Sequence, residues 1–372
     1  MAATDFGQLS NARKKVWATA LWITGRDQSF WMSNGFMGSG DEDMNAPIQR
    51  ITQLTRTERG LECVMSLVQD MSSDGVAGDN MAEGAEEALV NEAITIRIDQ
   101  LRNGVKSKGE MAEQATVIRF RAVAKAKLAF WLPDKIDEML FLMAAGRAFT
   151  LNTNGTTRAA SQLPQLSFAN DVVAASTNRI SFAGSATSEA NVTANDKMSW
   201  NVIVNAKAKA LRKRMRPLRE RGQEIFAVVL TTEQCRDLEL DPTYQTIVSR
   251  AGPRGSENPL FKNAKAMVSG IVIYEHNKVF NTLGLASGSK WGAAGLIDGG
   301  QALMFGAQAL GFATIDGTFY RESDNTDYNN RAGILIGRKM GMLKPQWKSP
   351  VDSLTLEDFG ILSIKTAAAA TP

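Results

Sequence analysis

Three features of this 372-residue sequence predict an α+β fold. Apolar and polar residues alternate over Ala93–Leu101, where Ile94, Ile96 and Ile98 take turns with Thr95, Arg97 and Asp99, the period of two expected of a half-buried strand. One long helical run opens near Glu110 and closes at Gly146, a residue suited to a helix C-cap. The C-terminal third reads as short apolar strands separated by Gly and Asp turns.

In chain order, the first expected element is an amphipathic helix over residues 11–25. Val16, Ala20 and Ile23 stand at helical spacing, with Trp17 and Leu21 beside them and Gly25 to end it. From Phe30 to Ala46 the glycines, Asn45 and the acidic GDEDMN cluster read as an extended arm or linker with little apolar material of its own to bury. Residues 48–108 read as strands, because GLECVMSLVQDM is apolar enough to pack on one or both faces and AITIRIDQL alternates. Between those strands lies GVAGDNMAEGAEEALV, Gly75–Val90, with three glycines, four carboxylates and no positive charge. It is expected to be the tip of a long hairpin-like excursion.

In the long helix, Ile136, Met139, Leu140 and Met143 mark the buried face, and Arg121 and Lys125 sit four apart on a wetter one. Pro133 removes the hydrogen bond to the carbonyl of Ala129 and crowds it, so a kink or a restart is expected there. Asp134 and Asp137 would then suit the N-terminus of the restarted helix. Residues 150–198, rich in Thr, Ser, Asn and Ala, read as a loop-rich surface region. A helix is expected from Trp200 to about Met215. EIFAVVLTTEQCRDLELD then gives a strand, a Thr cap and a short helix, and SGIVIYEH gives another strand. QALMFGAQALGFATI, AGILIGRKMGMLKPQW and FGILSIKT are the C-terminal strands, and the tail AAAATP is expected to be disordered. The sequence carries no repeat of about 20 to 50 residues, which argues against a solenoid or propeller.

Composition narrows the function. With 44% hydrophobic and 22% charged residues the chain is that of a folded protein, sized for one large or two ordinary domains. A net charge of +3 means that any contact with nucleic acid must come from a local patch. Cys63 and Cys235 are far apart, which argues against a disulfide scaffold or a zinc cluster and for a reducing compartment. The N-terminus lacks a signal pattern, and no apolar run approaches the roughly 20 residues of a membrane helix. His276 is the sole histidine, so a Ser-His-Asp triad or a multi-histidine metal site has almost nothing to be built from. Its segment, GIVIYEHNKVF, reads instead as a strand end or the turn after one.

Four constellations remain. Asp79, Glu83, Glu86 and Glu87 miss the spacing of a calcium loop and are flanked by strands rather than helices. A catalytic carboxylate pair needs a rigid cleft, which a loop tip does not supply. LGLASGSKWG departs from the phosphate-loop pattern at Ser289, and GMGSG near Phe36 has no preceding strand. The fourth is KAKALRKRMRPLRER, which places eight cations between Lys207 and Arg221, among them Arg212, Lys213, Arg214, Arg216, Arg219 and Arg221. This stretch reads either as a basic contact surface for phosphates or acidic loops, or as the solvated face of a helix whose apolar stripe is Val204, Ala208, Leu211, Met215 and Leu218. No nucleophile, metal cluster or cofactor cradle emerges, so no cofactor is expected. An arm and a strand excursion offer edges and apolar surface that need partners.

The block from Gly75 to Arg147 resembles the major capsid proteins of a group of tailed bacteriophages with the Hong Kong 97-type fold. The matching features are Gly78 and Asp79, then Glu86, Glu87 and Leu89, the alternating strand Ile94–Arg102, Glu113 and Gln114, and a helix carrying Trp131 and Asp137 before Gly146. Asn258, Pro259, Leu260 and Phe261, then MFGAQA, DYNNRAGILIGRKMG and DFGIL, are similar to further segments of that group in the same order. The resemblance implies an N-arm over residues 1–45, an extended β-hairpin E-loop with supporting strands over 46–112 and a peripheral-domain spine helix over 113–149. It further implies an axial domain over 150–305 and a return to the peripheral sheet with the C-terminal tail over 306–372. It implies a non-enzymatic protein of the virion, assembled in the host cytoplasm as pentamers and hexamers that close into an icosahedral head around double-stranded DNA. Portal, scaffold or decoration proteins would be further partners, DNA would be met nonspecifically, and no membrane is involved. Gly78, Asp79, Glu83, Gly84, Glu86 and Glu87 would form the inter-subunit contact at the E-loop tip. Two alternatives stay open at this point: a nucleic-acid-binding protein using a basic helix over 207–221, and a hydrolase that works with carboxylates alone.

Overall fold

The computed structural model describes residues 29–40, 43–52, 60–68, 71, 73–86, 91–111, 120–220, 222–251, 266–326, 330–349 and 355–370. The helix expected over residues 11–25, Glu87, Glu113, Gln114, Arg221 and the Asn258–Phe261 motif lie outside them.

The arm expected over Phe30–Ala46 is core in its first half. Helix α1 (Phe30–Ser33) buries Trp31 completely, and Phe36 follows it inward at 2% exposure. The Trp31 ring meets Phe141 with centroids 4.5 Å apart, and Phe36 packs on Trp31, Tyr274 and Phe305. Burying two such side chains contributes about 2–3 kcal/mol each, which sequence periodicity missed because one helical turn is too short to show a period.

Strands β1 (Ile48–Ile51), β2 (Glu62–Val68), β3 (Asn91–Arg97) and β4 (Asp99–Lys106) occupy the stretch read as strands. β2 and β3 pair antiparallel from Glu62↔Arg97 to Val68↔Asn91, so the acidic segment does cap a hairpin.

Helix α2 (Phe120–Ala145) runs 26 residues through Pro133 with no restart. Leu128, Leu132, Ile136 and Leu140 are buried four apart on both sides of the proline. A restart would rotate one half of that stripe out of the core, so packing holds the helix in phase against the lost hydrogen bond. Asp134 and Asp137 accordingly do not cap a new helix; Asp134 pairs with Lys278, and Asp137 reaches α1.

Residues 150–198 are loop-rich as expected, with short 3-10 turns and strand β5 (Ile180–Phe182), yet they are not merely surface. Phe168 is fully buried edge-on to Phe149, and Arg179 is fully buried. Helix α3 (Trp200–Arg212) stops short of Met215, and its buried residues are Trp200, Ile203, Ala206 and Ala210. The stripe expected through Val204 and Leu211 faces solvent, at 39% and 42% exposure. Arg214 takes a left-handed backbone (φ 51), and Leu218–Glu220 forms β6, paired to β7 (Gln223–Leu230), so 207–221 is not one helix. The expected strand, Thr cap and helix are present: Thr231 and Gln234 form a reciprocal capping box at the start of helix α4 (Thr232–Glu239).

Helix α5 (Pro242–Ala251), β8 (Ala266–Val268), β9 (Ile271–Glu275) and β10 (Gly299–Phe305) follow. The expected short strands after them include two long ones, β11 (Leu310–Thr326) and β12 (Arg331–Leu343), before β13 (Gln346–Ser349), β14 (Thr355–Asp358) and β15 (Ile361–Ala367). The tail is ordered further than expected: Ala367 ends β15, and Ala368 is buried with its N–H donating to the Asp298 carbonyl at 2.7 Å.

Two main sheets organise the chain. One runs β1-β11-β12-β4; the other runs β5-β15-β10-β7-β9-β8 with β6 on its flank. Alternate residues of β7 point to opposite sides: Ala227 and Val229 join the main core with α2, Trp31 and the first sheet, whereas Phe226, Val228 and Leu230 pack under α3 and α4. One core is thus shared by both sheets, and the hairpin is left outside it.

Candidate assembly surface

The hairpin is held at its base. Cys63 and Ile96 on β2 and β3, with Ile98, pack on Ile51, Ala313 and Leu343 of the first sheet, and Arg97 forms an ion pair with Asp171 at 2.5 Å. Beyond the base no described residue covers it: residues 73–86 are exposed throughout. Asp79, Glu83 and Glu86 therefore stand in solvent. Gly78 and Gly84 take left-handed backbones (φ 65 and 88), the conformations that make the chain turn there and that favour glycine. Two side-chain hydrogen bonds lie within the tip, from Asn80 Nδ2 to the Ala77 carbonyl (2.7 Å) and from the Gly84 N–H to Glu86 Oε2 (2.7 Å). Val76 and Met81 stand exposed among the acids, Met81 at 77%. Among the described residues no group of three or more His, Cys, Asp or Glu side chains converges as a metal site would require.

The cations of the basic stretch gather at the turn after α3. Arg212, Arg214, Arg216 and Arg219 are exposed, and Lys213 is half-buried. The turn is anchored: the Ala307 N–H donates to the Arg216 carbonyl (2.9 Å), Arg216 Nη1 donates to Gln308 Oε1 (2.8 Å), and Asn45 exchanges two hydrogen bonds with the Arg219 backbone. Among the described residues no ion pair links this turn to the acidic tip within the chain.

Long-range contacts that the sequence pattern did not announce hold the subunit in shape. Asp137 accepts from Ser29 Oγ (2.6 Å) and from the Phe30 N–H (2.7 Å), so a carboxylate of α2 caps α1 from 107 residues away. Burial pushes its pKa up to about 6, against the lowering effect of those two hydrogen bonds. The one readable signal was an acid directly after Ile136 on the buried stripe. His276 does follow a strand, β9, and its ring stacks on Phe141 at 4.9 Å; burial, helped by Lys278, pushes its pKa down to about 4. It is a neutral packing residue. Two buried ion pairs fasten β14, Arg179–Glu357 (3.5 Å) to the turn before β5 and Lys344–Asp358 (3.1 Å) to the end of β12.

A long helix crossing under a four-stranded sheet, a hairpin projecting from that sheet and a second, mixed sheet define a capsid subunit of the Hong Kong 97 type. The solved capsid of Ralstonia phage GP4 superposes with a TM-score of 0.77 at 24% identity, covering 93% of each chain. That of cyanophage Pam1 gives 0.70 at 18% identity, over 90% of this chain and 92% of its own. A family model described as phage capsid protein matches residues 2–370. The major capsid protein of Pseudomonas phage KPP25 is 40% identical over 375 residues, 98% of either chain. The chain belongs to the phage capsid protein family. Its role is structural, in the shell of a virion, and not enzymatic, so neither alternative, hydrolase or separate nucleic-acid-binding protein, is upheld. No helix among the described residues is long and apolar enough to cross a membrane.

Proposed function

We propose that this chain assembles with copies of itself as pentamers and hexamers into an icosahedral head that encloses double-stranded DNA. One observation supports it most: a hairpin with a built, packed base ends in an acidic, partly apolar tip that stands exposed over residues 73–86. Such a surface is stable in water only at a cost in exposed Val76 and Met81, and a neighbour in a closed shell covers it. Each contact is weak alone and is multiplied by the number of copies. In this reading Gly78, Asp79, Glu83, Gly84, Glu86 and Glu87 meet another subunit, and the turn at Arg212–Arg219 is a second contact surface, for acidic loops or for packaged DNA met nonspecifically. Residues 1–45, 46–112, 113–149, 150–305 and 306–372 serve as arm, hairpin region, spine, axial domain and peripheral return, although β15 pairs with β10 in the second sheet. Assembly takes place in the host cytoplasm, with portal and scaffold or decoration proteins as additional partners. Electron microscopy of the protein expressed alone tests the reading: shells or ring-shaped capsomers are expected, and a monodisperse monomer that binds DNA with a steep salt dependence would overturn it.

A further inference from the structure

Strand β4 lies at the edge of the sheet β1-β11-β12-β4, and among the described residues no strand pairs with its other side. In an antiparallel pair, alternate residues of a strand turn their N–H and C=O toward the partner and the residues between them turn theirs away. The phase is fixed by Ser107, directly after β4, whose N–H donates to the Ala332 carbonyl at 2.8 Å. The register runs from Met340↔Asp99 to Gly333↔Lys106, so the odd-numbered residues of β4 bond to β12. Gln100, Arg102, Gly104 and Lys106 therefore turn their backbone groups outward. All four are exposed, and such a row of outward groups is a template on which another strand can add.

Two of those outward donors are already occupied by the chain's own side chains. The Gln100 N–H donates to Asp99 Oδ1 at 2.6 Å, and the Gly104 N–H donates to Asn103 Oδ1 at 2.9 Å. Asp99 also ties its end of the strand down, since its Oδ2 accepts from the Ser167 N–H at 2.8 Å. Asn103 makes no second hydrogen bond with a described residue, and its cap lies in the middle of the exposed stretch. The N–H groups of Arg102 and Lys106, on either side of it, have no acceptor among the described residues.

A second copy supplies a matching strand, because the same edge turned about a two-fold axis runs antiparallel to itself. Centred on Gly104, such a pair sets Gly104 against Gly104 and Arg102 of each copy against Lys106 of the other. Only the outward N–H groups can bond across it, and the central one is the N–H that Asn103 holds. The flanking pairs set cation against cation, which is destabilising when the side chains stand directly opposite. Val105, 37% exposed, pulls the other way, since pairing would help to bury it. We propose that Asn103 guards this edge: its amide oxygen closes the central donor of β4 and, with Arg102 and Lys106, keeps free subunits from joining edge to edge. Two subunits joined in that way form a closed, isologous pair, which removes both from the head-to-tail contacts that build rings. That consequence rests on the shell function proposed above, whereas the guard itself is a property of the free subunit.

Sedimentation velocity of the full chain, at concentrations below those that give shells, tests it. Asn103→Val removes the acceptor and keeps a strand-forming side chain, and Asn103→Ala removes it without adding bulk. Both should keep the circular dichroism and melting of the unaltered subunit. Both should also dimerise at least about tenfold more tightly than the unaltered chain, because each copy frees one central donor. Salt should tighten that dimer by screening the facing cations. Asn103→Asp keeps an acceptor and should sediment as the unaltered chain does. Lys106→Pro added to Asn103→Val should return the monomer, since proline removes an outward N–H and leaves the ladder to β12 intact. Four results would each overturn the assignment: Asn103→Val and Asn103→Ala sedimenting as the unaltered chain at every concentration; a dimer that Lys106→Pro leaves intact, which would place the contact elsewhere; Asn103→Asp dimers as tight as those of Asn103→Val; or melting lowered in both Asn103→Val and Asn103→Ala without a dimer, which would make Asn103 a residue of the fold alone. Absence of shells from the unaltered chain would remove the shell function and leave these dimer measurements to decide the guard.

Discussion

Asp137 accepts from the Phe30 N–H and His276 packs on the Phe30 and Phe141 rings, and the two respond to acid in opposite directions. Asp137 titrates near 6 instead of its ordinary 3.8, so the folded state holds its proton more tightly than the unfolded chain does. Its contribution to stability is complete below about pH 3.8 and is lost as pH rises through 6. His276 stays neutral down to about 4 instead of 6.5, so its contribution is present above 6.5 and is lost as pH falls toward 4. Between these limits the two slopes oppose each other. Asp137→Asn removes one of them and also replaces one of the two accepting carboxylate oxygens by an amide N–H. Urea unfolding of that variant subunit should show a loss of about 1–3 kcal/mol at pH 7. It should also show an additional fall of about 2 kcal/mol, relative to the unaltered subunit, between pH 6.5 and 4. Parallel pH profiles for the two proteins would contradict the assignment. This contact illustrates what was legible at the residue scale. The Thr231–Gln234 capping box could be read because both partners lie within one turn, whereas nothing near Ser29 announces a partner at Asp137.

Elements were legible where one period persists. The alternation through Ile94, Ile96 and Ile98 gave β3 and its junction with β4, and the hairpin followed from the acidic glycine-rich segment between two strands. Where packing overrides local preference the reading failed, as at Pro133, which an in-phase buried stripe carries through the helix. It failed again at α3, where small alanines rather than Val204 and Leu211 face the sheet, because close helix–sheet approach selects small residues that a hydrophobicity pattern underweights. At the C-terminus four alanines read as a tail, yet Ala367 ends a strand held between β5 and β10. Removing residues 370–372 should therefore leave the melting temperature of the subunit nearly unchanged. Removing 367–372 deletes the backbone donors that Ala367 and Ala368 supply to Asp196 and Asp298 and should destabilise it by about 2 kcal/mol or more, read by thermal unfolding. Equal melting of both truncations would show that the tail is not part of the sheet.

At the scale of the whole molecule, the shared core makes a rigid body and the hairpin makes a projection from it. The core depends on residues far apart in sequence, so the positions of Trp31, Arg179 and the outer cations of the first sheet were not readable in advance. The projection is local, so its tip residues Gly78, Asp79, Glu83, Gly84 and Glu86 were. In the function proposed above, a subunit built in this way places its long-range contacts inside itself and offers local, charged surfaces to its neighbours. Sedimentation velocity of the Glu86→Lys, Glu87→Lys protein beside the unaltered one tests this most directly. The account predicts megadalton shells from the unaltered chain and only folded, slowly sedimenting subunits or capsomers from the variant. Shells of the same size and yield from both would contradict it.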